Sequence, residues 1–145
     1  MSVEWLLELH ALNEAGRFDE VIRRSKPILE SRPRDYAVRL QVGRALVALG
    51  ELKRAKTELL ASVKLSKGLA AWPWFYLAAM HARSGAKTEM MSSLNRALAI
   101  DPKIEKSIRT SPWFAAHFPL AKRGVRAAKK KRTSPKTPKK SQKTK

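Results

Sequence analysis

Apolar residues along this chain recur three or four positions apart, in runs that are each interrupted by a single glycine. Three segments superpose on this pattern: "LNEAGRFDEVIRRSKPILESRP", "LVALGELKRAKTELLASVKLSK" and "HARSGAKTEMMSSLNRALAIDP". Their glycines, Gly16, Gly50 and Gly85, are separated by 34 and then 35 residues. The spacing predicts a helix on each side of every glycine. Glycine adopts the left-handed conformation at little steric cost, so it ends the first helix and lets the chain reverse. Each segment is therefore expected to be two helices packed antiparallel across a tight turn. One such hairpin buries too little surface to fold alone, and about three stacked units are the usual minimum.

With these residues in place, the repeat resembles the tetratricopeptide repeat, whose unit carries an early Trp, a Leu-Gly pair, an aromatic, an alanine in the second helix and a closing proline. The third unit follows that pattern with Trp74, Leu77, Ala78, His81 (where the family often has Tyr), Gly85, Leu94, Ala97 and Pro102. The second keeps Val42, Gly43, Leu46, Gly50, Ala55 and Leu59 but has Lys67 in place of the proline. The first keeps Trp5, Leu12, Gly16, Phe18 and Pro33, and departs at Glu8-Leu9 and at Ser25. The stretch from Phe75 to Phe118 also resembles the terminal unit of such arrays. That likeness implies a capping helix begun by Ser111 and Pro112, with Trp113, Phe114 and Phe118 folding back on the last repeat. The resemblance covers about residues 3–120. The expected fold is all-α: a short antiparallel helical-hairpin solenoid of about three units over 1–121, then a disordered basic tail over 122–145. Trp5, Trp74 and Leu77 are expected in the core between helices, where helical apolar stripes normally face.

Candidate chemistry adds little to this picture. His10, His81 and His117 fall in different units without metal-ligand spacing, and no H-E-x-x-H, phosphate-cradling glycine loop or G-x-S-x-G occurs. The absence of cysteine excludes disulfides, thiol catalysis and cysteine metal sites. No enzyme, metal or cofactor is expected. The family resemblance implies binding instead: the first helix of each unit would line a concave groove that takes a peptide or helix of a protein partner. By alignment the lining is Leu6, His10 and Asn13, then Leu40, Arg44 and Val47, then Phe75, Ala79 and Ala82. This is a rather apolar groove with one cation, suited to an amphipathic or extended apolar segment. A C-terminal helix or a second copy of the chain is the competing occupant. The run "RRSKPILESRPR" from Arg23 to Arg34 is cation-rich, and such cations also complement a helix dipole.

Charge changes the reading at the far end. The 145 residues carry a formal net charge of +19, and Lys122 to Lys145 hold 12 of the 31 basic residues and none of the 12 acidic ones. The remainder keeps 19 basic against 12 acidic residues, or +7. The tail cations are Lys122, Arg123, Arg126, Lys129, Lys130, Lys131, Arg132, Lys136, Lys139, Lys140, Lys143 and Lys145. Low hydrophobicity with high charge predicts disorder. The segment resembles the lysine-rich tails of linker histones, which implies sequence-independent contacts to nucleic-acid phosphates. No aromatic residue is interleaved for base stacking. Lys129 to Arg132 also resembles a nuclear-import signal, and a merely solubilising charge run is the bland alternative.

The longest uncharged stretch, Gly68 to Ala82, is too short to span a bilayer and is broken by Pro73. The N-terminal residues lack the basic region of a secretion signal. The expected location is therefore intracellular, cytoplasmic or nucleoid in a bacterium and nuclear in a eukaryote, with no membrane partner. The expected function is a non-enzymatic adaptor or scaffold, its groove on a protein and its tail on nucleic acid or another polyanion. The alternative is a non-specific nucleic-acid-binding protein whose repeats serve oligomerisation.

Overall fold

The structure, a computed structural model, describes residues 3–117. Every regular element among them is helical: α1 (Val3–Glu14), α2 (Phe18–Ser31), α3 (Tyr36–Leu49), α4 (Leu52–Leu65), α5 (Trp72–Ser84), α6 (Lys87–Ile100) and α7 (Glu105–Thr110). Short 3-10 turns occupy Pro102–Ile104 and Pro112–Phe114. The chain divides into two compact units, one through Ile104 and one from Glu105. The expected boundary between 121 and 122 lies outside the described residues.

In the first unit the helices pack in sequence: α1 on α2, α2 on α3, α3 on α4, α4 on α5 and α5 on α6. The odd-numbered helices also touch one another, α1 on α3 and α3 on α5. The turns explain this order. Gly16, Gly50 and Gly85 have φ of +77, +82 and +79°, the left-handed conformation expected from their spacing. At each, the glycine N–H bonds a carbonyl three residues back and the next N–H one five back: Gly50 to Val47 and Glu51 to Leu46, Gly85 to Ala82 and Ala86 to His81, Gly16 to Asn13 and Arg17 to Leu12. This Schellman arrangement satisfies the last carbonyls of the first helix and reverses the chain within two or three residues. The same bonding recurs at Lys67 and Gly68, which reach Lys64 and Val63. Lys67 itself sits at φ +58°, a value proline cannot adopt, which is why the closing proline of the neighbouring units is missing here.

The interior repeats in phase as well. Val21, Ala55 and Met90 are each fully buried on the second helix of their hairpin, and Ser25, Leu59 and Leu94 are buried one turn later. Across from them stand Leu9, Gly43 and Ala78, all buried. A Cβ on Gly43 would lie 2.5 Å from the Leu59 side chain, so a small residue on the first helix accommodates a large one on the second. At the positions matching Gly43 and Leu59, the first hairpin has the sizes reversed, Leu9 and Ser25, both buried. Its two departures from the repeat pattern therefore change size in opposite senses. Leu9 packs into a cluster with Val21, Val38 and Ala45, flanked by Leu6, Leu12, Phe18 and Ile28.

Trp5 and Trp74 are half-buried, each with an arginine over its ring: Arg32 at 5.1 Å and Arg96 at 4.9 Å. Leu77 is buried. In the second unit Ser111 accepts a bond from Trp113 N–H at 3.1 Å and Pro112 opens the 3-10 turn, the local start that its sequence suggested. Phe114 is fully buried and Trp113 half-buried, while Phe118 lies outside the described residues.

Candidate partner-binding face

The first helices of the three hairpins lie side by side, and their matched positions form rows across α1, α3 and α5. One row runs Leu6, Leu40, Phe75; the next runs His10, Arg44, Ala79; the last runs Asn13, Val47, Ala82. The structure splits these nine residues by accessibility. Asn13, Val47, Phe75 and Ala79 are buried between the helices, at 3% exposure or less. His10 is exposed, and Leu6, Leu40, Arg44 and Ala82 are half-buried. Five of the nine are therefore accessible, and the other four are buried among the helices.

Asn13 shows how. Its amide Nδ2 donates to the backbone carbonyl of Gln41 at 3.1 Å and to Gln41 Oε1 at 2.8 Å, tying α1 to α3 inside the core. Gln41 is itself buried.

The charged part of the face crosses all three hairpins. Arg44 Nη2 bonds Glu14 Oε2 at 2.5 Å, Arg44 Nη1 lies 3.4 Å from His10 Nδ1, and its guanidinium stands over the Tyr76 ring at 5.6 Å. His10 Nε2 is 3.9 Å from Glu14. The bond from Arg44, and next its charge, hold the Glu14 carboxyl below the usual carboxylate range. Burial pushes the Tyr76 phenol up, against a smaller opposing pull from Arg44. The single groove cation expected from sequence is thus locally neutralised by a carboxylate that the alignment did not single out. Glu14 is legible only afterwards, because it stands one turn beyond His10 on the same helix face.

Aromatic residues extend the face. Trp72 remains 42% exposed, with its ring 4.9 Å from Phe75 in an edge contact and 6.2 Å from Tyr76. Sequence reasoning placed neither Trp72 nor Tyr76 here, because Tyr76 lies one position to the side of the aligned Phe75 and Trp72 one helical turn before it. Three of the four arginines of the run 23–34 are paired with carboxylates: Arg24 with Glu8 and Glu20, Arg23 with Glu20, and Arg32 with Asp35. All 12 tail cations from Lys122 to Lys145 lie outside the described residues.

Among the described residues no group of His, Asp and Glu is arranged to hold a metal ion, and no helix is long and apolar enough to cross a membrane. Compared with known proteins, the chain matches no protein-family model and no curated protein.

Proposed function

We propose that the chain is a tetratricopeptide-like adaptor whose odd-numbered helices line a concave groove for a protein segment, and whose basic tail engages nucleic acid. The observation that carries this reading is the row of first helices. They pack side by side through Asn13, Val47, Phe75 and Ala79, and they leave Leu6, Leu40 and Trp72 accessible beside Arg44. Three Schellman turns in phase support the repeat. The occupant that fits is an amphipathic helix or extended segment. Its apolar side chains would meet Leu6, Leu40 and Trp72, and a polar group would meet the His10–Glu14–Arg44 cluster. The tail adds a second, sequence-independent attachment through phosphates.

The test compares proteins captured from cells by the full chain, by a groove variant (Leu40→Ala, Arg44→Glu, Trp72→Ala) and by a chain with its tail lysines changed to glutamine. Phe75 is left intact because it is buried. A partner retained by the tail variant and lost by the groove variant is expected. An exposed aromatic at the centre of an interface is commonly worth about 2 kcal/mol, so Trp72→Ala alone should weaken that partner roughly 30-fold. A partner set that ignores the groove substitutions, while circular dichroism shows the helices intact, would transfer the role to the tail.

A further inference from the structure

The second helices face away from the row just described, and one of them is unlike the others. Along α4, Lys53, Lys56, Leu60 and Lys64 fall three, four and four residues apart, which places them on one helix face, with Lys67 following in the turn. All five are exposed, Leu60 by 44%. They stand opposite the buried stripe of Ala55, Leu59 and Ser62 that anchors α4. None of the four lysines has a carboxylate within ion-pair distance among the described residues. The acid within α4 and the one at its N-cap are taken by arginines: Glu58 by Arg39 at 2.8 Å and Glu51 by Arg54 at 3.1 Å. Glu89 of α6 and Lys56 act on His81 in opposite senses, and no ion pair joins the two.

The repeat itself does not require this charge. At the positions matching Lys53, Lys56, Leu60 and Lys64, α2 carries Asp19, Ile22, Lys26 and Glu30, and α6 carries Thr88, Met91, Asn95 and Ala99. Only α4 presents cations alone.

Geometry narrows what they would meet. At 1.5 Å per residue Lys53 and Lys64 stand about 16 Å apart along α4, with Lys56 and Leu60 between them and Lys67 just beyond the helix end. A duplex major groove is about 12 Å wide, so a helix face of this length laid across it brings the lysines at its two ends to phosphates of opposite strands. We infer that the outer face of α4 is a duplex nucleic-acid-binding surface, with the lysine pairs on the two bounding backbones and Leu60 facing into the groove. It acts independently of the groove on the other face and adds a folded contact to the one proposed for the tail.

The experiment uses the full chain, a 20-base-pair DNA duplex and a potassium chloride series. Each phosphate contact contributes about 0.9 to the slope of log K against log salt. The variant Lys53→Gln, Lys56→Gln, Lys64→Gln, Lys67→Asn should lose about 3 to 4 from that slope and bind at least tenfold more weakly near 0.1 M salt. Glutamine preserves helix propensity, and asparagine tolerates the left-handed backbone at position 67. The charge-preserving variant with arginine at 53, 56 and 64 should retain the slope. A chain with its tail lysines neutralised should keep the α4 contribution, so loss of slope on both variants supports two surfaces. A slope that falls only on tail neutralisation overturns the inference and leaves the tail as the sole anchor. A slope that falls only with the α4 variant upholds the inference and removes the tail reading. Double-stranded RNA run in parallel distinguishes the kind of duplex. Loss of binding to vesicles containing phosphatidylserine, with the duplex slope unchanged, would reassign the face to lipid and overturn it.

Discussion

Gly43 stands in the interior of α3, where alanine would ordinarily be the better helix former by about 1 kcal/mol. The fully buried Leu59 side chain reverses that preference, because the new Cβ would lie 2.5 Å from it with no free volume to receive it. Gly43→Ala should therefore lower unfolding free energy by about 1–3 kcal/mol in urea titration, and Leu59→Val in the same chain should recover part of it. The first hairpin offers the mirror experiment. Leu9→Ala alone should cost about 2–5 kcal/mol by opening a cavity, and Ser25→Leu alone should overpack. The double change rebuilds the arrangement of the neighbouring hairpins and should lie well above the sum of the two. Simple additivity would mean the two side chains do not share one space. The sequence showed Leu9 and Ser25 as two separate departures; the structure shows that both are buried.

At the scale of elements, α1 is held on α3 by polar as well as apolar links. Asn13 is bonded twice to Gln41, and Glu14 is bonded to Arg44. Replacing Asn13 with alanine leaves buried Gln41 groups unpaired, at a cost of about 1–3 kcal/mol. The loss should show in hydrogen exchange as reduced protection of α1 amides relative to those of α4. Uniform loss across the chain would mean that α1 opens only with everything else. A second element-scale device is Arg83 of α5, whose Nη1 donates to the Val47 and Ala48 carbonyls at 2.6 and 3.0 Å. It places a cation at the C-terminus of α3, where the helix dipole is negative. Arg83→Met should cost about 1 kcal/mol, measured by thermal or urea unfolding. Neither link has a signature in the repeat pattern, because each joins residues from different hairpins.

For the whole molecule, the described titratable groups set how stability changes with pH. Burial holds the half-buried His81 below its ordinary value of 6.5. The unfolded chain then takes up a proton before the folded one does, so stability is complete above pH 6.5 and falls as pH drops through and below it. The His81→Leu variant, which copies Leu12 and Leu46 of the other hairpins, should flatten the thermal midpoint between pH 7 and 5. Glu14 has the same sense at lower pH: its depressed carboxyl contributes above the usual value of 4.5 and is lost as pH falls through the folded value. Glu14 is 60% exposed, so that step should be small beside the His81 step. An acid limb that His81→Leu leaves unchanged would assign it to other groups.

The sequence by itself determined the helices, their breaks and the sign of the charge. Apolar spacing and glycine conformational freedom are local properties, so Gly16, Gly50 and Gly85 mark their turns without reference to the rest of the chain. Composition likewise marks residues 122–145 as a segment with no acidic residue. The tertiary structure decided which residues of a helix face are accessible and which are used up. It buried Asn13, Val47, Phe75 and Ala79, brought Glu14 onto Arg44, left Trp72 open, and occupied Glu51 and Glu58 with arginines while the α4 lysines stayed unpaired. The pairs Glu14–Arg44 and Arg39–Glu58 join helices that are separate in sequence, 30 and 19 residues apart. A periodic pattern fixes the direction in which a residue points, but not what meets it there.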